Sequence, residues 1–348
     1  MSKPKIINSM YTPNFSYTYP GKLNTELIQK PKINTPALSD LFRIIQGIRC
    51  GEYINLVQPL TEVLTKGTAD CAPTYTQSGS ITDRRLETGL FEINLSWCKK
   101  EFQATCNVLG DSDLIADGID GYELGNRLRT VIFDEVLEAA RIDLWKIIFL
   151  SDNSLGSGST SKYSAIDGVF VKFYDAAASY CVQPISNAFP NQHNSILSAN
   201  QARDILREMW GNSKTILKQL PVAQKAFWVS GSVWENYYDS VVNDCCVEGS
   251  WKAGQDGIDR LYYRGIELIP LWVIDDALEN DTTNPFYDEI RHFAVYTAKD
   301  NHLLGVERAS DLNNLSMCYD CRTKESLIQG EMRVGYNFAQ CDLISWAK

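Results

Sequence analysis

The chain has 348 residues, of which 44% are hydrophobic and 22% charged, and its formal net charge is −10 at pH 7. It contains no apolar run of about 18 residues, so no transmembrane helix is predicted. Its start, MSKPKIINSMYTPNF, lacks the apolar core of a secretion signal. The composition therefore predicts globular material in one large or two medium domains.

Charge is unevenly distributed along the chain. Residues 1–49 carry seven basic and two acidic side chains, a net of +5, so the other 299 residues carry −15. A basic segment beside an acidic body is typical of contact with nucleic acid or with the acidic face of a neighbouring copy. A solvated tail explains the same pattern, and the sequence leaves these alternatives open.

Proline and aromatic residues dominate residues 1–37. The prolines exclude a long helix there, and rings recur at Tyr11, Phe15, Tyr17 and Tyr19. The segment is expected to be an extended arm that anchors on another surface by these rings. A short helix capped by Ser39 is predicted over residues 39–46.

Two strand-like runs follow, GEYINLVQPLTEVLTKG and LETGLFEINLSWCKKEF, and the second has period-two alternation. Residues 68–85 between them are polar and turn-rich. This order predicts a long two-stranded hairpin with a polar tip. Such a hairpin is marginal in isolation, so it is expected either to contact a partner surface or to form an ordinary edge of the core.

The longest periodic segment runs from Tyr122 to Leu150 and predicts a helix of about 40–45 Å. Beyond it, alternation at Val169, Val171 and Phe173 suggests a strand. A second helix is predicted from Ser198 to Trp210, with capping-box spacing between Ser198 and Gln201.

The remaining part of the chain, from residue 226 onwards, is predicted to contain both strands and helices. The predictions are a buried strand over 226–229, a helix from Val233, a strand through YYRGIELIPLWVIDD, a surface loop in DDALENDTTNPFYDE, a hairpin in RHFAVYTAKDNHLLGVER and a strand towards the C-terminus. The fold class is therefore α+β.

Signatures of catalysis or metal binding are weak. The ten cysteines, without a secretion signal, predict reduced thiols, and only Cys318 and Cys321 form a CxxC pair. A structural zinc site needs four ligands, and the three histidines show no ligand spacing, so no metal or cofactor is predicted. LGSGSTSK fails the phosphate-loop pattern at Ser161, and DSDLIADGIDG fails the EF-hand pattern at Ile115. No catalytic residues are nominated. Because the arm and the hairpin are surface that a monomer would waste, an assembly subunit is favoured over an enzyme.

The order of these parts resembles the major capsid protein of tailed bacteriophages, the Hong Kong 97-type fold that encapsulin shells share. Several phrases are similar to the family's: KAFWVSGSVWENY, YYRGIELIPLWVIDD with Gly265 and Pro270, RHFAVYTAKDNHLLGVE, and GEMRVGYNFAQCDLISWA with Arg333. The resemblance implies this division: N-terminal arm 1–50; extended β-hairpin loop and flanking strands 51–105; long spine helix and peripheral domain 106–185, with a return strand at about 316–336; axial domain 186–315, with a C-terminal tail 337–348.

The resemblance also implies a structural role and no enzymatic activity. Many copies, as hexamers and pentamers, would form an icosahedral shell around double-stranded DNA that they contact non-specifically. Other implied partners are a separate scaffolding protein, a portal and possible decoration proteins, with no membrane. The protein would be assembled in the host cytoplasm and end in the virion. Candidate interface residues are Asp83, Arg84 and Arg85 near the loop tip, with the arm's four rings. The alternatives are an encapsulin-like compartment, a tail or head-completion protein, and a metal-dependent enzyme.

Overall fold

The structure is a computed structural model. It describes residues 37–49, 51–57, 81–98, 126–156, 161–179, 181–185, 188–189, 196–243, 251–253, 259–308, 315–320, 322 and 325–348. The chain divides into two compact units. One takes Met1–Lys32, Ile93–Glu138 and Leu315–Gly330, and the other takes Ile33–Glu92, Ala139–Asn314 and Glu331–Lys348.

The helices of the described part are α1 (Leu38–Leu41), α2 (Asn126–Leu150), α3 (Val169–Ala178), α4 (Gln201–Asn212), α5 (Thr215–Gln219), α6 (Gly231–Asn243) and α7 (Trp272–Asn280). Helix α2 confirms the long periodic helix, although residues 122–125 lie outside the described residues. Its last seven residues are buried except at Lys146, so this end enters the core instead of lying along its surface.

The strands are β1 (Arg43–Gln46), β2 (Glu52–Val57), β3 (Ile81–Leu86), β4 (Gly89–Cys98), β5 (Gln183–Ile185), β6 (Lys225–Val229), β7 (Trp251–Ala253), β8 (Asp259–Tyr263), β9 (Ile266–Pro270), β10 (Ala294–Ala298), β11 (His302–Val306), β12 (Ser316–Asp320), β13 (Glu325–Phe338) and β14 (Ile344–Ala347).

These strands form three sheets. A seven-stranded mixed sheet has the order β5-β14-β10-β6-β9-β8-β7, and α4 and α6 pack on it through an apolar core. A five-stranded sheet has the order β1-β11-β13-β12, with β4 also paired to β13. Strands β2 and β3 form a ladder of two strands.

An aromatic cluster fills the core of the larger unit. The Phe42 ring, 3% exposed, lies 5.6–6.2 Å from the rings of five buried residues: Trp145, Phe149, Trp228, His302 and Tyr336. Edge-on and tilted contacts at these distances are favourable aromatic geometries. Phe42 therefore ties the segment that contains α1 and β1 to the end of α2 and to both larger sheets.

Three predicted elements differ from those observed. The helix expected over residues 39–46 is only α1, which begins after Ala37, and β1 follows it. The alternation at Val169 belongs to helix α3, whose buried residues follow helical spacing. The strand expected through YYRGIELIPLWVIDD ends at Pro270, and α7 begins two residues later.

The expected surface loop and the hairpin expected over residues 291–308 also differ. The loop begins inside α7 and then buries Asn284 and Phe286. Strands β10 and β11 do not pair with each other. Strand β10 pairs with β6 and β14, whereas β11 pairs with β1 and β13. The turn at Lys299–Asn301 therefore carries the chain from one sheet to the other.

Candidate assembly surface

The β2–β3 ladder is the candidate functional site. Its register pairs Tyr53 with Arg85 and Val57 with Ile81. The hairpin partner of β2 is thus β3, within the segment expected to be a polar tip, whereas β4, expected as the partner, pairs with β13. Residues 58–80 between the two strands lie outside the described residues.

One face of the ladder points towards the body of the protein. Because side chains alternate along a strand, Ile54, Arg84 and Leu86 share a face. Leu86 is fully buried against Ile48 and Leu303, and Ile54 packs on the same cluster. This face anchors the ladder at its base.

The opposite face is exposed. It carries Tyr53, Ile81, Asp83 and Arg85 by the same alternation. Tyr53 is 64% exposed and Ile81 is 71% exposed, so this face presents two large apolar side chains to solvent. Arg85 pairs with Glu87 at 3.0 Å, and both side chains are more than half exposed, so the pair contributes at most about 1 kcal/mol.

Strand β13 holds the ladder's base through a side-chain hydrogen bond and a close approach of the two backbones. The Asn337 side-chain amide donates a hydrogen bond of 2.7 Å to the carbonyl oxygen of Arg85. A β-carbon at Gly335 would overlap the carbonyl oxygen of Glu87, so glycine permits a close approach of the two backbones. The base is therefore fixed to the body, although only one face of the ladder is covered.

A charged cluster lies beside the base. Glu307 accepts from Arg49 at 2.9 Å and lies 3.4 Å from Arg333. Arg333 Nη1 and the Thr88 hydroxyl both donate to the carbonyl oxygen of Arg49, at 3.2 and 3.0 Å. Arg333, which the sequence analysis named, therefore binds Glu307 and the Arg49 carbonyl oxygen of the same chain, where β1, β11 and β13 meet.

Arg84 lies on the anchored face and is half-buried. Its guanidinium lies 5.3 Å from the centre of the Phe338 ring, and Nη2 is 3.2 Å from Cys341 Sγ and 3.8 Å from Cys181 Sγ. Cys181 and Cys341 form a disulfide with a Cα–Cα distance of 5.3 Å. The expectation of reduced thiols is therefore wrong for this pair. The two cysteines are 160 residues apart, and only the fold brings them together.

The remaining interface candidates are divided between described and undescribed residues. Asp83, Arg84 and Arg85 lie on β3, within three residues of buried Leu86, and so belong to the base of the ladder instead of its tip. Their contact with another copy stays a prediction. Tyr11, Phe15, Tyr17 and Tyr19 lie outside the described residues. The outward-facing Tyr53 and Ile81 were missed, although their apolar character in a short strand was a usable signal.

Neither a metal cluster nor a membrane span is found where the structure describes the chain. No group of three or more metal-ligating side chains occurs among those residues. Cys318 is exposed and free, whereas Cys321 lies outside them. None of the described helices is long and apolar enough to cross a bilayer.

Solved structures of phage capsids share this fold. A structure of Gordonia phage Cozz is 12% identical, with a TM-score of 0.55, covering 95% of this chain and 91% of that one. A structure of the procapsid of satellite phage P4, which includes a size determination protein, is 8% identical, with a TM-score of 0.53, and the match covers 92% of this chain and 93% of that one. A structure of the capsid of Myoviridae phage XM1 is 9% identical, with a TM-score of 0.52, and the match covers 94% of this chain and 96% of that one. No family model and no curated protein sequence matches the chain. The expected α+β phage capsid fold is confirmed.

Proposed function

We propose that this chain is a major capsid protein that self-assembles into the icosahedral head of a tailed phage around double-stranded DNA. The observation that carries the proposal is the likeness to phage capsid structures, which covers more than nine-tenths of this chain and of each of theirs. A fold shared over that much of both chains favours a shared structural role by analogy of fold.

The β2–β3 ladder supports the same function. A two-stranded ladder is marginally stable alone and needs a further surface to pack on. Its inner face is anchored by Leu86, whereas its outer face presents Tyr53 and Ile81 to solvent. A neighbouring copy laid on this outer face would remove both side chains from water and would place Asp83 and Arg85 within reach of that copy's charges.

The proposed division of the chain follows the same reasoning. Residues 1–50 form the arm, 51–105 the extended loop, 106–185 the spine and peripheral domain with a return strand at about 316–336, and 186–315 the axial domain with a tail at 337–348. The proposed partners are other copies in hexamers and pentamers, separate scaffolding and portal proteins, decoration proteins and packaged DNA. Assembly takes place in the host cytoplasm, and no enzymatic activity is proposed.

The test is negative-stain electron microscopy of the full chain after size exclusion, alone and with crowding agents. Closed shells, hexamers or pentamers are expected. DNA within shells recovered from infected cells would support a phage head, whereas packaged protein would favour an encapsulin-like compartment. A monomer under every condition, including co-expression with the scaffolding protein of its own gene cluster, would contradict the proposal.

A matched pair of variants tests the ladder's outer face. The double substitution Tyr53→Ser with Ile81→Ser is expected to abolish shells while leaving a folded subunit. Ile196→Ser is the control, because Ile196 is 97% exposed and lies away from the ladder in sequence. If the double variant and Ile196→Ser lose shell assembly equally, or if both still assemble, the ladder's outer face is not the assembly surface. Replacing Tyr11, Phe15, Tyr17 and Tyr19 by serine tests the arm in the same assay.

A further inference from the structure

The Cys181–Cys341 pair lies where an edge strand joins the seven-stranded sheet. Cys181 stands two residues before β5, and Cys341 opens the short turn that leads into β14. Strands β5 and β14 pair in parallel, from Ser345 opposite Gln183 onwards. The disulfide therefore links the approaches to two neighbouring strands. Both cysteines are partly exposed, so small solutes can reach them.

Arg84 places a positive charge against these sulfur atoms from a third element, β3. Its Nη2 is 3.2 Å from Cys341 Sγ, within hydrogen-bonding distance for sulfur, and 3.8 Å from Cys181 Sγ. The guanidinium is held over the Phe338 ring, which fixes its direction. Asp342 follows Cys341 in the chain, and its carboxylate is 4.0 Å from Lys214 Nζ.

A guanidinium beside a thiol favours the thiolate, which is the nucleophile in disulfide exchange. We propose that Arg84, Cys181 and Cys341 form a reactive thiol site for low-molecular-weight disulfides, with Cys341 as the attacking thiolate. Arg84 is a positioning residue in this site, since it acts on the sulfur of Cys341 and not on the small disulfide. The proposal does not depend on whether the chain builds a shell.

The exchange proceeds in two balanced steps. The Cys341 thiolate attacks one sulfur of the small disulfide, forms a mixed disulfide and releases one small thiolate. Cys181 then gives its proton to water and attacks Cys341 Sγ, which closes the Cys181–Cys341 bond and expels the second small thiolate. Two protein thiols are oxidised, and one small disulfide is reduced to two thiols.

The test follows bond closure in the reduced full-length protein mixed with oxidised glutathione. Samples are quenched with N-ethylmaleimide and read by intact mass and peptide mapping across a range of pH. Arg84→Gln is expected to slow closure at neutral pH about tenfold and to move the midpoint of the rate–pH profile upwards, because a tenfold loss of thiolate corresponds to about one pH unit. Arg84→Lys is expected to restore much of the rate.

Arg85→Gln is the matched control. Arg85 is the neighbouring arginine on the opposite, exposed face. In this variant the Cys181–Cys341 bond should form at the wild-type rate, and the midpoint of the rate–pH profile should equal that of the wild type. A purely structural role for Arg84 would not move the midpoint. Equal rates and midpoints for wild type and Arg84→Gln would overturn the proposal.

A second measurement keeps the proposal testable if Arg84→Gln fails to fold. With Arg84 intact, the mixed disulfide is expected to form faster on Cys341 in Cys181→Ser than on Cys181 in Cys341→Ser. Equal rates, a reversed order or first attack at another cysteine would equally contradict the assignment.

Discussion

Gly335 on β13 lies directly against the carbonyl oxygen of Glu87, which connects β3 to β4. The absence of a side chain there lets the base of the β2–β3 ladder rest on the middle of the five-stranded sheet. Gly335→Ala is expected to lower the free energy of unfolding by about 2–3 kcal/mol, because the added β-carbon forces a backbone shift in a packed region. Chemical denaturation measures this change.

Gly211 near the end of α4 is the control for that substitution. A β-carbon there meets nothing within 4 Å. Gly211→Ala is therefore expected to leave stability unchanged or raise it by up to about 1 kcal/mol, through helix propensity. If Gly335→Ala and Gly211→Ala destabilise the protein to a similar extent, the contact with Glu87 is not the reason that residue 335 must be glycine.

Burial of His302 predicts a loss of stability in acid. Its Nε2 and Nδ1 contact the Thr297 and Tyr336 hydroxyls, each at 2.7 Å. The Thr297 hydroxyl donates to the Leu343 carbonyl oxygen, so it accepts from Nε2–H, and Nδ1 then accepts from Tyr336. The neutral imidazole satisfies both partners, and burial lowers the pKa of His302 to about 3.

The sign of this effect follows from the lowered pKa. Above pH 6.5 both the folded and the unfolded states hold neutral His302, so it contributes no pH dependence. As the pH falls from 6.5 towards 3, only the unfolded state gains the proton, and stability drops by up to about 1.4 kcal/mol per pH unit. Urea denaturation of wild type and His302→Gln should show a flatter acid limb for the variant. Parallel curves would contradict the prediction.

Asp275 predicts the opposite dependence. Burial raises its pKa to about 7, and its Oδ2 accepts from the Gly231 backbone N–H at 2.5 Å at the start of α6. Between pH 3.8 and 7 the unfolded carboxyl is ionised while the folded one keeps its proton, so stability falls as the pH rises through this window. Asp275→Asn is expected to be more stable than wild type above pH 7, by at most about 4 kcal/mol.

The neighbouring Asp276 supplies the control. Its hydrogen bond from Lys146, 2.9 Å long, holds its pKa below the usual value. Asp276→Asn should therefore be slightly less stable at neutral pH, by less than about 1 kcal/mol because the carboxylate is half exposed. In the same denaturation series, Asp275→Asn is expected to raise the free energy of unfolding and Asp276→Asn to lower it. A change of the same sign in both variants would contradict the prediction.

The disulfide predicts a large effect on stability. In the chain-entropy model, closing a loop over a separation of 160 residues stabilises the folded state by about 5 kcal/mol. Cys341→Ser should lower the free energy of unfolding by about 5 kcal/mol. The stability of this variant should no longer depend on reductant. Cys318→Ser, at an exposed free thiol, should change neither quantity. A wild-type melting curve unaffected by reductant would count against the bond.

The sequence predicts elements best where one periodicity dominates. Helix α2 follows from its apolar stripe. The helix predicted from Ser198 begins at Gln201 as α4, with Asn200 as its N-cap, and the Gln201 side chain accepts from the Ser198 N–H, which is one of the two hydrogen bonds of a capping box. Alternation predicts a strand at helix α3 because the run VFVKFYDAAA is apolar enough to satisfy both the strand and the helix period. Its buried Val169, Phe170, Phe173 and Ala176 reveal the helical one.

Long-range pairing is what the sequence conceals. The turn after Ala298 has the local character of a hairpin, yet the strands on either side pair in different sheets. Alternation alone likewise predicts the wrong partner for β2, because β4 alternates more strongly than β3. Arg84 and the disulfide belong to the same class, since proximity across 97 to 257 residues leaves no mark in local composition.

The position of β14 has a consequence for synthesis. Residues 344–347 lie between β5 and β10, so they join two strands that are both made before them in translation. Until they leave the ribosome, β5 has no neighbour in the seven-stranded sheet and β10 has one open side. A nascent chain therefore cannot complete this sheet until residues 344–347 have emerged.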